Sequence, residues 1–267
     1  MNLDLLLPFA KAHAVQSVAL AAEWQGELSD QTLLRIHSLA KKFESQLPKV
    51  ELQKMMQINL TPNPHQVPQT FPALGAVVFQ KTTDLGAVAQ QFAVSRANAA
   101  LIINDYTRWA PALQLAMAVY AEALPIILAD KAVNAIALQY TDAFTWKDDP
   151  ELLDLSQVFR PGSKYIPANA FGQLGAWHSH YGYVENGAHP AEKERLNNIN
   201  INVADVAGER TIQITSVHRA ALDKPLRASN NKYLELVESL QNELHIANKD
   251  ILTQVLSDVV AEKIKLK

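Results

Sequence analysis

The 267-residue chain contains no cysteine, which excludes disulfides, thiolate nucleophiles, iron–sulfur clusters and cysteine-ligated zinc together. Glycine is thin, with nine residues, and no Gly-x-Gly-x-x-Gly occurs. Pro161-Gly162-Ser163-Lys164 ends like a phosphate-binding loop but lacks the upstream glycine that builds the cradle. No Gly-x-Ser-x-Gly marks a nucleophile elbow. Charge of one sign never accumulates: 24 basic and 27 acidic residues are interspersed, giving a formal charge of −3. Without a basic stripe, neither nucleic acid nor an anionic membrane is an expected partner. The start, Met1 to Pro8, lacks a basic segment and a secretory-length apolar run, and no stretch reads as a bilayer span of roughly 20 apolar residues. The expectation is a cytoplasmic protein.

What is present begins with the alternation from Leu196 to Val203. Successive strand side chains face opposite sides, so Ile199, Ile201 and Val203 go one way and Asn198, Asn200 and Asn202 the other. Arg210 to Val217 alternates likewise, with Ile212 and Ile214 against Thr211, Gln213 and Thr215. A two-residue turn at Ala207-Gly208 joins the runs, setting Asn202 opposite Gln213 and Asn200 opposite Thr215. One sheet face is then apolar. The other is a surface of neutral amides and hydroxyls suited to a partner or a second copy.

Around this hairpin the pattern predicts strands at 15–24, 50–60, 76–81, 88–95, 99–105, 133–146 and 176–185. Ser29 or Asp30 starts a helix carrying Leu33, Ile36, Ala40, Phe43 and Leu47, and Pro48 ends it. Thr61 to Pro72, with four prolines, reads as a loop. Thr107 caps an apolar helix with Pro111 in its first turn. The chain closes with a helix over 231–264, kinked or divided at Asn248-Lys249-Asp250. The fold class is α+β, with mainly antiparallel sheets, helices on one face and a long C-terminal helix. The least regular stretch, 148–171, separates a half at 1–147 from a half at 148–267, which form two domains or one continuous one.

Ligand-capable side chains are densest at Trp177-His178-Ser179-His180-Tyr181-Gly182-Tyr183, where His178 and His180 share a strand face within reach of one metal ion. Asp142 interrupts an apolar strand, where an unpaired carboxylate is costly, and is expected at a strand end or in a pair. His189 and Glu192 flank Pro190 in what reads as a solvated loop. His13, His37, His65 and His245 stand isolated, the second and fourth on helices, and Arg96 and Arg108 read as solvated.

Gly172, His178-Ser179-His180 and Glu185 resemble the first metal-binding motif of the cupin family. That resemblance implies a divalent transition metal on His178, His180 and Glu185, with a later histidine, His218, as fourth ligand. Glu192 occupies the place of the motif's trailing glycine, and the family's second Pro-x-Gly motif is missing. Over nearly the whole chain the sequence is also similar to a sporadically distributed bacterial family of uncharacterised proteins of about this length. The similarity rests on Val15 to Trp24, on Leu101-Ile102-Ile103-Asn104-Asp105-Tyr106 running into Trp109, on Leu138 to Phe144, which resembles an Arg-Tyr-Ile-Asp strand with glutamine for arginine, and on Leu240 to His245 with Ile251-Leu252-Thr253, which resembles a Leu-His helix. It implies bacterial origin, cytoplasmic location and an accessory or defence-type distribution, and it assigns no residue a role. The reading of function is a non-catalytic binding or assembly protein without cofactor, self-associating or protein-bound. Its rival is a metal-dependent enzyme built on the His-x-His strand.

Overall fold

The computed structural model describes residues 2–59 and 69–266; His65 and most of the proline-rich segment lie outside them. The strands are β1 (Leu6–Pro8), β2 (Val15–Trp24), β3 (Lys49–Asn59), β4 (Gln69–Thr82), β5 (Val88–Ser95), β6 (Asn98–Ile103), β7 (Val133–Trp146), β8 (Trp177–Asn186), β9 (Glu192–Val206) and β10 (Glu209–Leu226). The helices are α1 (Asp30–His37), α2 (Ala40–Phe43), α3 (Trp109–Leu128), α4 (Leu155–Val158), α5 (Tyr233–Val255) and α6 (Asp258–Lys263). Among the described residues the strands form one antiparallel sheet in the order β3-β4-β5-β6-β2-β7-β10-β9-β8, with β1 on the end of β7. The class is α+β.

The topology repeats itself. The opening strand β2 pairs with β6, the last strand of its meander, and β7 pairs with β10 in the same way. The β2–β7 pair then joins both units into one sheet.

The β9–β10 hairpin follows from its sequence. Ala207 (φ 52°) and Gly208 (φ 83°) both take positive φ, the geometry whose twist matches a two-residue hairpin. The register sets Asn202 against Gln213 and Asn200 against Thr215. Ile199, Ile201, Val203, Ile212 and Ile214 are buried on the opposite side.

Elsewhere local chemistry moves the expected boundaries. The first helix breaks after His37, because the Ser38 hydroxyl donates to the Arg35 carbonyl at 2.6 Å and tightens the turn. Arg108, not Thr107, occupies the N-cap of α3. That helix is by length and composition apolar enough to cross a membrane, with a mean hydropathy of 1.5, correcting the expectation that no segment qualifies. Half of it is buried inside the fold, where Tyr120 donates to the Leu20 carbonyl at 2.7 Å. The C-terminal helix passes unbroken through 248–250 and ends at Val255. Ser257 then caps α6 while its hydroxyl donates to the Gln157 carbonyl at 2.6 Å.

Two apolar clusters line the helix-covered face. One joins β2, β4, β5, β6, α1, α3 and the first half of α5. The other joins the ends of β7, β9 and β10 with α4, α6 and the second half of α5. Between them, under α5, polar side chains replace apolar ones.

Candidate functional site

The pleat decides the fate of the four expected metal ligands. His178 pairs with Asn202 and His180 with Asn200, so both imidazoles lie on the amide face, exposed. Glu185 and His218 lie on the helix-covered face. Asn197 links them, donating to Glu185 Oε1 at 2.7 Å and holding its Oδ1 2.7 Å from His218 Nδ1. The set is split two and two across the sheet and does not converge; among the described residues no three His, Asp or Glu gather as a metal site.

His218 is wholly buried, and burial lowers its pKa to about 4, so its ring is neutral. A neutral ring has one N–H. Glu185 fixes the Asn197 amide with its oxygen toward Nδ1, which therefore carries the hydrogen. Nε2 lies 3.1 Å from Asn248 Oδ1. Ser216 completes the chain against Asn248. Glu192 is likewise structural and not solvated. It is buried at the start of β9, accepts two bonds from Arg195 at 2.8 and 2.7 Å, and accepts from the backbone N–H groups of Ala188 and His189. Arg96, expected to be solvated, braces the α1 entry through the Leu28 carbonyl and Asp30.

One turn of α5 away, the chemistry is different. A cavity of about 190 Å³ opens between the stretch 13–15, the start of α3, β7, α5 and the C-terminal residues 264–266. A bulge makes room for it: Val15 pairs with Asp142 and Ser17 with Thr141, leaving Gln16 as the extra residue opposite that step. Asp142 is in mid-strand, 2% exposed, with its Oδ2 bonded to nothing, so neither the strand-end nor the paired expectation holds. Burial, unrelieved by a neighbouring cation, pushes its carboxyl up to about 7. His13 Nδ1, also lining the cavity, is a second buried atom without a partner.

The walls around Asp142 are aromatic and rigid. Trp109 stacks on His245 with centroids 4.4 Å apart and planes 9° from parallel, and its indole N–H donates to Asn242 at 2.7 Å. The Tyr140 hydroxyl meets His245 Nδ1 at 2.9 Å, and Tyr106 packs edge-on against both Tyr140 and His13. Burial, with Lys249 nearby, lowers the His245 pKa to about 4, so the ring bonded to Tyr140 is neutral. Burial also holds both tyrosine hydroxyls above their ordinary range. Arg108, Lys249 and Lys265 stand exposed on the outer lining. Among the described residues none of the three forms an ion pair.

The parity of Asp142 was the available signal, because it shares a strand face with Leu138, Tyr140 and Phe144. Nothing local marks His13, Arg108, Lys249 or Lys265 as its neighbours. Compared with family models and with curated proteins, the sequence matches none of them.

Proposed function

We propose that this chain is a non-catalytic cytoplasmic binding protein with a small-molecule site in the pocket under α5, and that the amide face of the sheet serves protein association. The observation that carries the pocket reading is the unpartnered carboxylate oxygen of Asp142. Buried polar atoms are nearly always paired, and an orphan in a roomy, aromatic-walled cavity is the partner a ligand donor would complete. The neighbouring groups support binding over turnover. His245, with its basicity lowered to about 4, is a weak base, and Tyr140, bonded to it, is held as a weaker acid than usual. The segments that resemble the bacterial family supply Tyr106, Trp109, Tyr140, Asp142 and His245 to this one cavity, which favours a site shared by such chains.

Phenylguanidine, a planar pair of N–H donors on an apolar ring, is the probe. It should quench the fluorescence of Trp109 and raise the thermal midpoint of the full chain, and Asp142→Asn should remove both effects. Equal responses in the two proteins would overturn the reading.

A further inference from the structure

The pocket is polarised along its depth. Its buried wall carries two side-chain atoms without a partner, Asp142 Oδ2 and His13 Nδ1, and of the two only Asp142 is an acid. Its exposed lining carries Arg108, Lys249 and Lys265, from three separate segments, with no acidic residue answering them among the described residues. The cavity wall contributes one acid and three cations, and the acid does not neutralise the cations: burial is the only influence raising its pKa, and none of the three relieves it. The cations do act on their neighbours, Arg108 on His13 and Lys249 on His245, each lowering the pKa of its histidine. Tyr106, Tyr140 and Trp109 line the same cavity.

A neutral or cationic ligand would leave the outer charges unanswered, and a simple anion would leave Asp142 orphaned. Only a molecule with both ends satisfies both. Resting on the pocket reading above, we propose that the ligand is a small organic acid: a planar N–H-donor group of guanidine, amidine or cyclic-amide type enters against Asp142, and a carboxylate or phosphate remains outside with Arg108, Lys249 and Lys265. Charge-assisted, two-pronged donors suit a carboxylate best, and a planar group lies flat against aromatic walls.

Three probes separate the ends in calorimetric titrations of the full chain. Phenylguanidine has the donors alone, benzoate the anion alone, and 4-guanidinobenzoate both. The expected result is that 4-guanidinobenzoate binds at least about tenfold more tightly than phenylguanidine, with benzoate weakest. Arg108→Ala combined with Lys249→Ala should reduce 4-guanidinobenzoate to the level of phenylguanidine while leaving phenylguanidine unweakened.

Affinity of both guanidines should also fall as the medium is acidified below about pH 7, by up to about tenfold per unit, because protonation removes the acceptor. His13, Tyr106, Arg108, Tyr140, His245, Lys249 and Lys265 also face this space. The histidines have lowered pKa values and the tyrosines raised ones, which leaves Asp142 as the group changing charge near neutrality. If phenylguanidine binds through Asp142 but the added carboxylate gives no gain, the ligand class is wrong and the pocket stands. If phenylguanidine does not bind, the pocket reading and the ligand class fall together.

Discussion

Two buried polar regions lie side by side under α5, on the same face of the same sheet. In the chain Glu185–Asn197–His218–Asn248–Ser216, each donor the neutral histidine can offer is met by an acceptor. Around Asp142 and His13, buried atoms are left open. Asn248 borders both, bonding within the first region and lining the second. A satisfied network specifies a core, whereas an unsatisfied one at a cavity costs stability that only a bound partner recovers. Burial alone therefore does not separate structural from functional polar residues. What sets Asp142 and His13 apart is that their open atoms line a cavity, whereas Arg96 and Gln241 also carry unmet atoms but do not line that cavity.

The comparison is broken most severely by cutting into the satisfied chain. His218→Leu leaves the Asn197 and Asn248 amides buried without their partner and should destabilise the fold by about 2–4 kcal/mol in urea unfolding. A loss under about 0.5 kcal/mol would show that water replaces the ring without penalty.

The open region should respond in the reverse sense. Its carboxyl has a folded pKa of about 7, raised above the unfolded value, so its stabilising contribution is complete below the unfolded pKa and is lost as pH rises through the folded one. Asp142→Asn removes that loss, and relative to the parent chain should gain roughly 2–3 kcal/mol of stability on going from about pH 5 to about pH 8. His218 and His245, whose pKa values are depressed to about 4, act oppositely: stability declines as pH falls from the unfolded histidine value toward about 4. Because both proteins carry these histidines, the difference between their unfolding curves isolates the carboxyl. A parallel pair of curves would place Asp142 in a paired state and erase the contrast.

The smallest effect belongs to the solvent side. Asn200→Lys with Asn202→Lys should change stability by less than about 0.5 kcal/mol, since both side chains are at least partly exposed. Any self-association seen by light scattering should fall, because two ammonium groups per chain then oppose each other across a shared face. An unchanged mass would remove this face as an assembly surface.

How much of this was legible in the sequence varied with the distance over which each signal acts. The hairpin at 196–217 could be read to the residue, since strand parity and a two-residue turn fix it locally. The same parity rule, applied to β10, places Ser216 and His218 with Ile212 and Ile214 in the interior. His178 falls on the other face through its pairing with Asn202. The division of His178 and His180 from Glu185 and His218 across the sheet follows from register alone, once β8 is aligned to β9. The pocket was not legible, because residues 13, 108, 142, 249 and 265 meet only through the β2–β7 pairing, the bulge at Gln16 and the return of the C-terminus. The polar run at 248–250 reads as a kink or division of the last helix, yet α5 runs through it. Asn248 is polar there because the interior needs it.

The span of α5 has its own consequence. Val237, Leu240 and Leu244 belong to one apolar cluster, and Ile251, Leu252 and Val255 to the other, on one uninterrupted helix. Two clusters that would otherwise open as separate cooperative units share a common rod, so loosening either frays the helix that closes the other. The two halves of the repeated topology are thereby tied to each other through one helix as well as through the β2–β7 pair.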